Sequence, residues 1–272
     1  MVALRARMQQ RYADWRGDLQ EDTGWPPFFD GCPEPDFAAI PDGCVIEDDA
    51  PVWPGRRGAN LQGAPEGAHI SRAFDGIEPE DVRVVVFGQA PYPAIASATG
   101  RAFEDGTPDA AGEAVKLALR VLGQSALDLH GEPCPAGLCH GREGRAAVIR
   151  GCFDRLAEQG VLCLNVSWTY TQEGHESAHR RLWKPVTAYL LQRLVERPEG
   201  SPVLLLLGTW AERFFDGLRL ANVLVVRKCH PAERGNRYFE RPNPLQRVNE
   251  ALQASDSNPV AWWSVPDDEG LA

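Results

Sequence analysis

Lysine is nearly absent from this chain: three of its 28 basic residues are lysine and the other 25 are arginine. No window approaches the roughly 18 consecutive apolar residues that a membrane span requires, so no membrane association is expected. The opening stretch MVALRARMQQRYADW carries charge where a signal peptide is apolar, which points to a cytoplasmic protein. Seven cysteines, an odd number scattered from Cys32 to Cys229, do not make the dense paired framework of a small secreted domain and are expected to be reduced thiols. Internal repeats and low-complexity tracts are also missing. What remains is ordinary globular material, 272 residues with 43% hydrophobic and 24% charged side chains, which excludes disorder, collagen and coiled coil.

A formal net charge of −10 argues against a life on nucleic acid until its distribution is considered. Residues 1–50 hold four basic and eleven acidic side chains, and residues 251–272 hold four acidic and none basic. Between Val225 and Arg247 the balance reverses, with Arg227, Lys228, Arg234, Arg237, Arg241 and Arg247 set against Glu233 and Glu240 around a single histidine. Such a cluster suits phosphate, although on charge alone a solvated surface in an arginine-preferring protein is the better explanation.

The first 60 residues are rich in Pro, Gly and Asp, and read as a short helix near 4–16 followed by long irregular chain, an N-terminal extension to a domain spanning 61–272. Thereafter apolar runs alternate with helical patterns. Strands are expected at VRVVVFG (82–88), VLCLN (161–165), PVLLLLG (202–208) and NVLVVRKCHP (222–231). Helices are expected around 112–123, 146–159, 181–196, from Thr209, and near 244–254. Short all-apolar strands with helical crossovers predict an α/β fold, a three-layer α/β/α arrangement with a central four-stranded, mostly parallel sheet. In such sheets ligands bind at the carboxyl ends of the strands. Here those ends carry GQAPYP (88–93), Asn165, Gly208-Thr209 and His230-Pro231.

These four segments carry a resemblance. GQAPYP followed by TGRAF (99–103) is similar to the GQDPYH motif of uracil-DNA glycosylases and the Gly-x-Ala-Phe that follows it at the same spacing. VLCLNVSWT (161–169) resembles that family's LLLNTVLTV strand, LGTWA (207–211) its WGSxA turn, CHP (229–231) its APHPSP, and NPVAW (258–262) its tail. Each piece alone is weak, but as an ordered set over about residues 50–265 they are specific. The resemblance implies a pocket for an extruded base, read by aromatic stacking and by hydrogen bonds to its Watson–Crick edge. Phe103 would stack on the base, and the Asn165 amide would offer donor and acceptor together. The chain around Gln89 would add hydrogen bonds, and Tyr92 would crowd out a thymine methyl group. His230 would donate to the carbonyl on which charge grows as the glycosidic bond breaks. Thr209, Arg234 and Arg237 are the expected DNA contacts. Taken singly, Phe103 reads as core, Asn165 as a strand-end turn and His230 as a surface histidine; converging at four strand ends, they read as a site.

Two departures matter. Ala90 stands where the family keeps its catalytic aspartate, and a methyl group can neither position nor deprotonate water. Another branch, often called family five, has a first motif like GLAPA followed by TGRxF and no carboxylate there; by resemblance to it Asp105 becomes the catalytic candidate, with Glu104 the alternate and a charged turn an almost equal explanation for both. The loop HPAERGNRYFERPN (230–243) also lacks the leucine that wedges into DNA in the family, leaving Arg234 or Tyr238 and Phe239 to fill that place. Without that wedge a single-stranded substrate gains weight.

Cys134, Cys139 and His140 could suggest zinc, but no second ligand pair accompanies them, so no metal and no cofactor are expected. His175 and His179, four apart, face one way on a helix and are expected as phosphate contacts or surface. The resulting expectation is a monomeric, metal-free glycosylase hydrolysing the N-glycosidic bond of uracil in single- or double-stranded DNA for base-excision repair. The alternative is an impaired relative that binds DNA or a flipped base without cleaving it.

Overall fold

The computed structural model describes residues 1–59, 61–106, 117–130, 145–233, 238 and 240–262. Two short strands near the N-terminus, β1 (Val2–Ala3) and β2 (Val45–Ile46), pair antiparallel, and the apolar runs form the central strands: β3 (Val84–Gly88), β4 (Val161–Asn165), β5 (Val203–Leu207) and β6 (Val225–Lys228). Valine and leucine suit them because a stiff, branched side chain packs well on a pleated surface buried on both faces. The order is β4-β3-β5-β6, and every pairing is parallel. Register places Gly88 opposite Asn165 and Leu207 opposite Lys228, so the four carboxyl ends finish together. β6 is shorter than the run from which it was expected: Asn222 to Leu224 precede the strand and Cys229 to Pro231 follow it, while Arg227 and Lys228 stay paired with β5 at the edge of the sheet.

Period-two alternation divides the strand residues between two cores. Val85, Phe87, Leu162, Leu164, Leu204 and Leu206 face one side, where α5 (Glu176–Glu196) and α6 (Thr209–Leu218) cover them. Val84, Val86, Val161, Cys163, Val203 and Leu205 face the other, under α3 (Leu117–His130), α4 (Arg145–Glu158) and α7 (Pro244–Gln253). The architecture is thus three-layered, α/β/α. α7 starts at Pro244 after Asn243, whose side chain accepts from the Leu245 amide at 3.0 Å. α5 begins at Glu176, five residues before the apolar periodicity suggests, since its first turn buries only the small Ala178 and the polar His179.

The N-terminal stretch is irregular in backbone but is no loose appendage. In α1 (Leu4–Tyr12), Leu4, Met8 and Tyr12 lie on one face, fully buried. Trp15, Trp25 at the start of the one-turn α2 (Trp25–Phe28), and Phe29 join Phe74, Trp168 and Trp183 in an aromatic cluster of the first core, Trp168 stacking on Trp183 at 4.9 Å. Irregular backbone leaves carbonyls without a ladder partner, and arginine meets them with its fork of five donors. Arg5 donates to the Ile40 carbonyl (2.6 Å), Arg7 to Ala50 (3.1 Å), Arg56 to Arg11 (2.8 Å) and Arg57 to Asp18 (2.6 Å). Arg83 and Arg101 do the same farther on. A lysine carries its three donors on one nitrogen, whereas the guanidinium spreads five over a planar fork that reaches carbonyls lying farther apart.

Candidate active site

A cleft of about 260 Å³ opens at the carboxyl ends of the strands, lined by Gly88 to Pro93, Thr99 to Arg101, Phe103, Asn165, Tyr170, Glu176 and His230. Its size is at the small end for ligand pockets, which typically start at about 300 Å³, and suits a single ring. Beyond Gly88 and Asn165 the two chains stay paired, the Val166 amide donating to the Gly88 carbonyl (3.0 Å) and Ser167 to Gln89 (3.1 Å). This continuation fixes both walls.

Asn165 is 4% exposed and faces the cleft, and no hydrogen bond to its side-chain amide forms among the described residues. A buried amide in that state has its donor and acceptor available to a ligand. Gly88 makes room for it: a Cβ there would stand 2.6 Å from Asn165 Oδ1 and 2.9 Å from the Ala102 methyl. Phe103 is held at φ 68°, the left-handed region, at a cost of order 1–3 kcal/mol for a bulky residue. Its neighbours enforce this. The Tyr92 hydroxyl donates to the Phe103 carbonyl (3.2 Å), the Ala102 amide donates to Cys163 (3.1 Å), and Arg101 is tied to Asp154 (2.6 Å) and to the Asp75 carbonyl (2.9 Å). Burial, reinforced by the charge of Asp105, pushes the Tyr92 phenol well above its usual range, so it stays a neutral donor.

His230 lies with its ring 5.9 Å from that of Phe103. Its Nδ1 accepts from the Ala232 amide at 3.1 Å, which leaves the proton of the neutral ring on Nε2. Burial lowers its pKa, only partly opposed by Glu233. Gly208, at φ 96°, lets this ring sit close, since a Cβ there would be 3.1 Å from His230 Cβ.

The structure therefore brings together Gln89, Ala90, Tyr92, Phe103, Asn165 and His230. Asp105 is buried beside Tyr92, its backbone bridged to Ala98, and does not line the cleft. Glu104 is also fully buried, beside Arg72 (3.3 Å) and Arg101 (3.7 Å). Thr209 is exposed at the first position of α6, outside the lining. Arg234, Arg237, Phe239, Cys134, Cys139 and His140 lie outside the described residues. Arg227, from the basic cluster, pairs with Asp216 at 2.6 Å.

Two expectations are overturned by burial. Tyr238 is 2% exposed within the second core and cannot act as a wedge. His179 is 1% exposed, its Nδ1 at 2.9 Å from Thr169 Oγ1 and its Nε2 at 3.0 Å from Thr171 Oγ1, so it meets no phosphate. Conversely, Glu176 escaped the sequence reading. It is the one carboxylate among the described lining residues, held by the Gly174 amide (3.0 Å) and the Tyr170 hydroxyl (3.5 Å). Its one available signal was its place between His175 and His179, at the first position of α5.

With this geometry established, comparison with known proteins is decisive. The family model described as the Uracil DNA glycosylase superfamily matches residues 74–253. The chain belongs to that superfamily. Among its relatives is uracil-DNA glycosylase 1 of Streptomyces avermitilis, 32% identical over 201 residues, covering 73% of this chain and 80% of the relative. The uracil-DNA glycosylase of Lactobacillus delbrueckii is 29% identical over 209 residues, covering 75% and 82%. Among solved structures, the wild-type UNG of Nitratifractor salsuginis superposes with a TM-score of 0.54 at 21% identity over 94% of this chain and 98% of that one. Mimivirus uracil-DNA glycosylase gives 0.58 at 14% identity over 93% and 86%. Both share the superfamily fold.

Proposed function

We propose that this protein hydrolyses the N-glycosidic bond of uracil in DNA, taking the extruded nucleotide into the cleft. The observation that carries the reading is the pairing of an uncommitted Asn165 amide with a neutral His230 whose Nε2 proton is available, both beside the constrained ring of Phe103. In a dissociative reaction, negative charge grows on the leaving base and positive charge on the sugar. Nε2–H of His230 donates to the base carbonyl that gains charge, and a donor fixed in place costs no reorganisation at that moment. Asn165 reads the base edge, and Phe103 stacks on its face. Tyr92 fills the space that the methyl group of thymine needs. With Ala90 in place of a carboxylate, no general base adjoins the sugar from that loop, and Glu176 supplies negative charge in the same cleft to favour the sugar cation and orient water.

One observation favours a second reading, base binding without excision: neither Ala90 nor the buried Asp105 presents a carboxylate to the cleft. Incubating the protein with uracil-containing single- and double-stranded oligonucleotides, then cleaving abasic sites with alkali, separates the two. Strand scission at uracil supports the glycosylase; retention of free-uracil binding without scission supports the binder.

A further inference from the structure

Trp210 is the only aromatic side chain among the described residues that is substantially exposed, at 43%. It stands in the first turn of α6, two residues beyond Gly208, which abuts His230. The Arg180 guanidinium lies over its ring at 4.0 Å and that of Arg213 at 5.8 Å. Neither arginine forms an ion pair among the described residues, unlike Arg227 or Arg56. Arg180 itself is one helical turn, about 6 Å of rise, beyond the cleft residue Glu176. An exposed indole flanked by two uncommitted guanidiniums beside a base-sized cleft combines an aromatic platform with phosphate-binding charge, the pairing that single-stranded nucleic acid requires.

We propose that Trp210, braced by Arg180 and Arg213, stacks the base next to the extruded nucleotide in single-stranded DNA, with the two guanidiniums on adjoining phosphates. Within a duplex that neighbour stays stacked and paired, so an indole outside the cleft has no free base face to meet. This rests on the reading of the cleft as the seat of an extruded base, and the test keeps the two apart.

The probe is a fluorescently labelled single-stranded oligonucleotide with a stable abasic analogue at its centre, titrated by anisotropy against the full chain. Trp210→Ala is expected to weaken binding about 5- to 150-fold, the range for losing one base–aromatic stack, while Trp210→Phe retains most of the affinity. Omitting the base on one side of the abasic site should weaken binding to the unmodified protein, yet cost the Trp210→Ala variant nothing further. Replacing Arg180 and Arg213 together by glutamine should flatten the salt dependence by roughly 1.4, at about 0.7 per phosphate. No binding by the unmodified protein, equal binding by Trp210→Ala, or losses that simply add would overturn the platform. Free-uracil binding, followed by calorimetry, should be the same in every variant; its absence from the unmodified protein counts against the cleft reading instead.

Discussion

Lowering the pH from 7 to 5 should destabilise this protein through one side chain in particular. His179 is buried, with both ring nitrogens engaged by Thr169 and Thr171, while Thr169 also accepts from the Trp183 indole at 2.7 Å. Burial, helped by His175 and Arg180, pushes its pKa down to about 3. In the unfolded chain it titrates near 6.5, about the normal histidine value. Between those two values the unfolded state binds a proton that the folded state refuses, so stability is full above pH 6.5 and falls as the pH drops towards 3. At about 1.4 kcal/mol per pH unit, the loss between pH 7 and pH 5 comes to about 2 kcal/mol. Other groups titrate in this range as well, and the clean quantity is a difference. Urea unfolding of the unmodified protein and of His179→Gln at both pH values should show the gap between them shrinking by about 2 kcal/mol at pH 5. A gap that stays constant would mean that His179 is protonated in the fold, and the argument from its burial would fail. Tyr170, whose ring stacks on His179 at 6.5 Å, lines the cleft, so the same titration loosens a wall of the site.

Gly88→Ala should destabilise the fold by about 1–3 kcal/mol in urea titrations and weaken free-uracil binding, because its methyl group would overlap Asn165 Oδ1. Ala90→Asp should raise uracil excision, by up to the ~10²–10⁴-fold that a positioned general base supplies, whereas Glu176→Gln should lower it; single-turnover rates on a uracil-containing single strand decide both. In the proposed reaction His230 donates as the neutral ring, and burial depresses its pKa, so the acid limb of the pH–rate profile should lie below the ordinary value of about 6.5, and a limb above that value would contradict the assignment.

The sheet was legible because β3, β4 and β5 are short, mainly aliphatic runs buried on both faces, a pattern that needs no knowledge of partners, and the edge strand β6 opens on the same kind of residue. The residues gathered at the cleft were legible for a related reason: Gly88, Asn165, Gly208 and His230 stand at or just beyond the ends of those runs, and parallel strands deliver their ends to one edge. What stayed hidden depends on pairing across the chain. His179 resembles a surface residue until Thr169 and Thr171 enclose it, and α5 seemed to start late for that reason. The N-terminal stretch lacks periodicity because its fold is held by tryptophan packing and by arginine forks on scattered carbonyls, none of which leaves a regular spacing. Glu176 was missed for the same cause: the family resemblance around Phe103 pointed to Asp105, while the chain after β4 brings the Glu176 carboxylate to the cleft.

In the proposed reaction Asn165 reads uracil and His230 helps to release it. The most direct measurement is single-turnover excision from a single-stranded oligonucleotide carrying one uracil, compared with the same strand carrying thymine, for the unmodified protein and for His230→Leu. The account predicts scission at uracil alone and a loss of 10²-fold or more in the variant, the typical effect of removing one fixed donor to a developing negative charge. Scission at thymine, or an unchanged rate in His230→Leu, would contradict it.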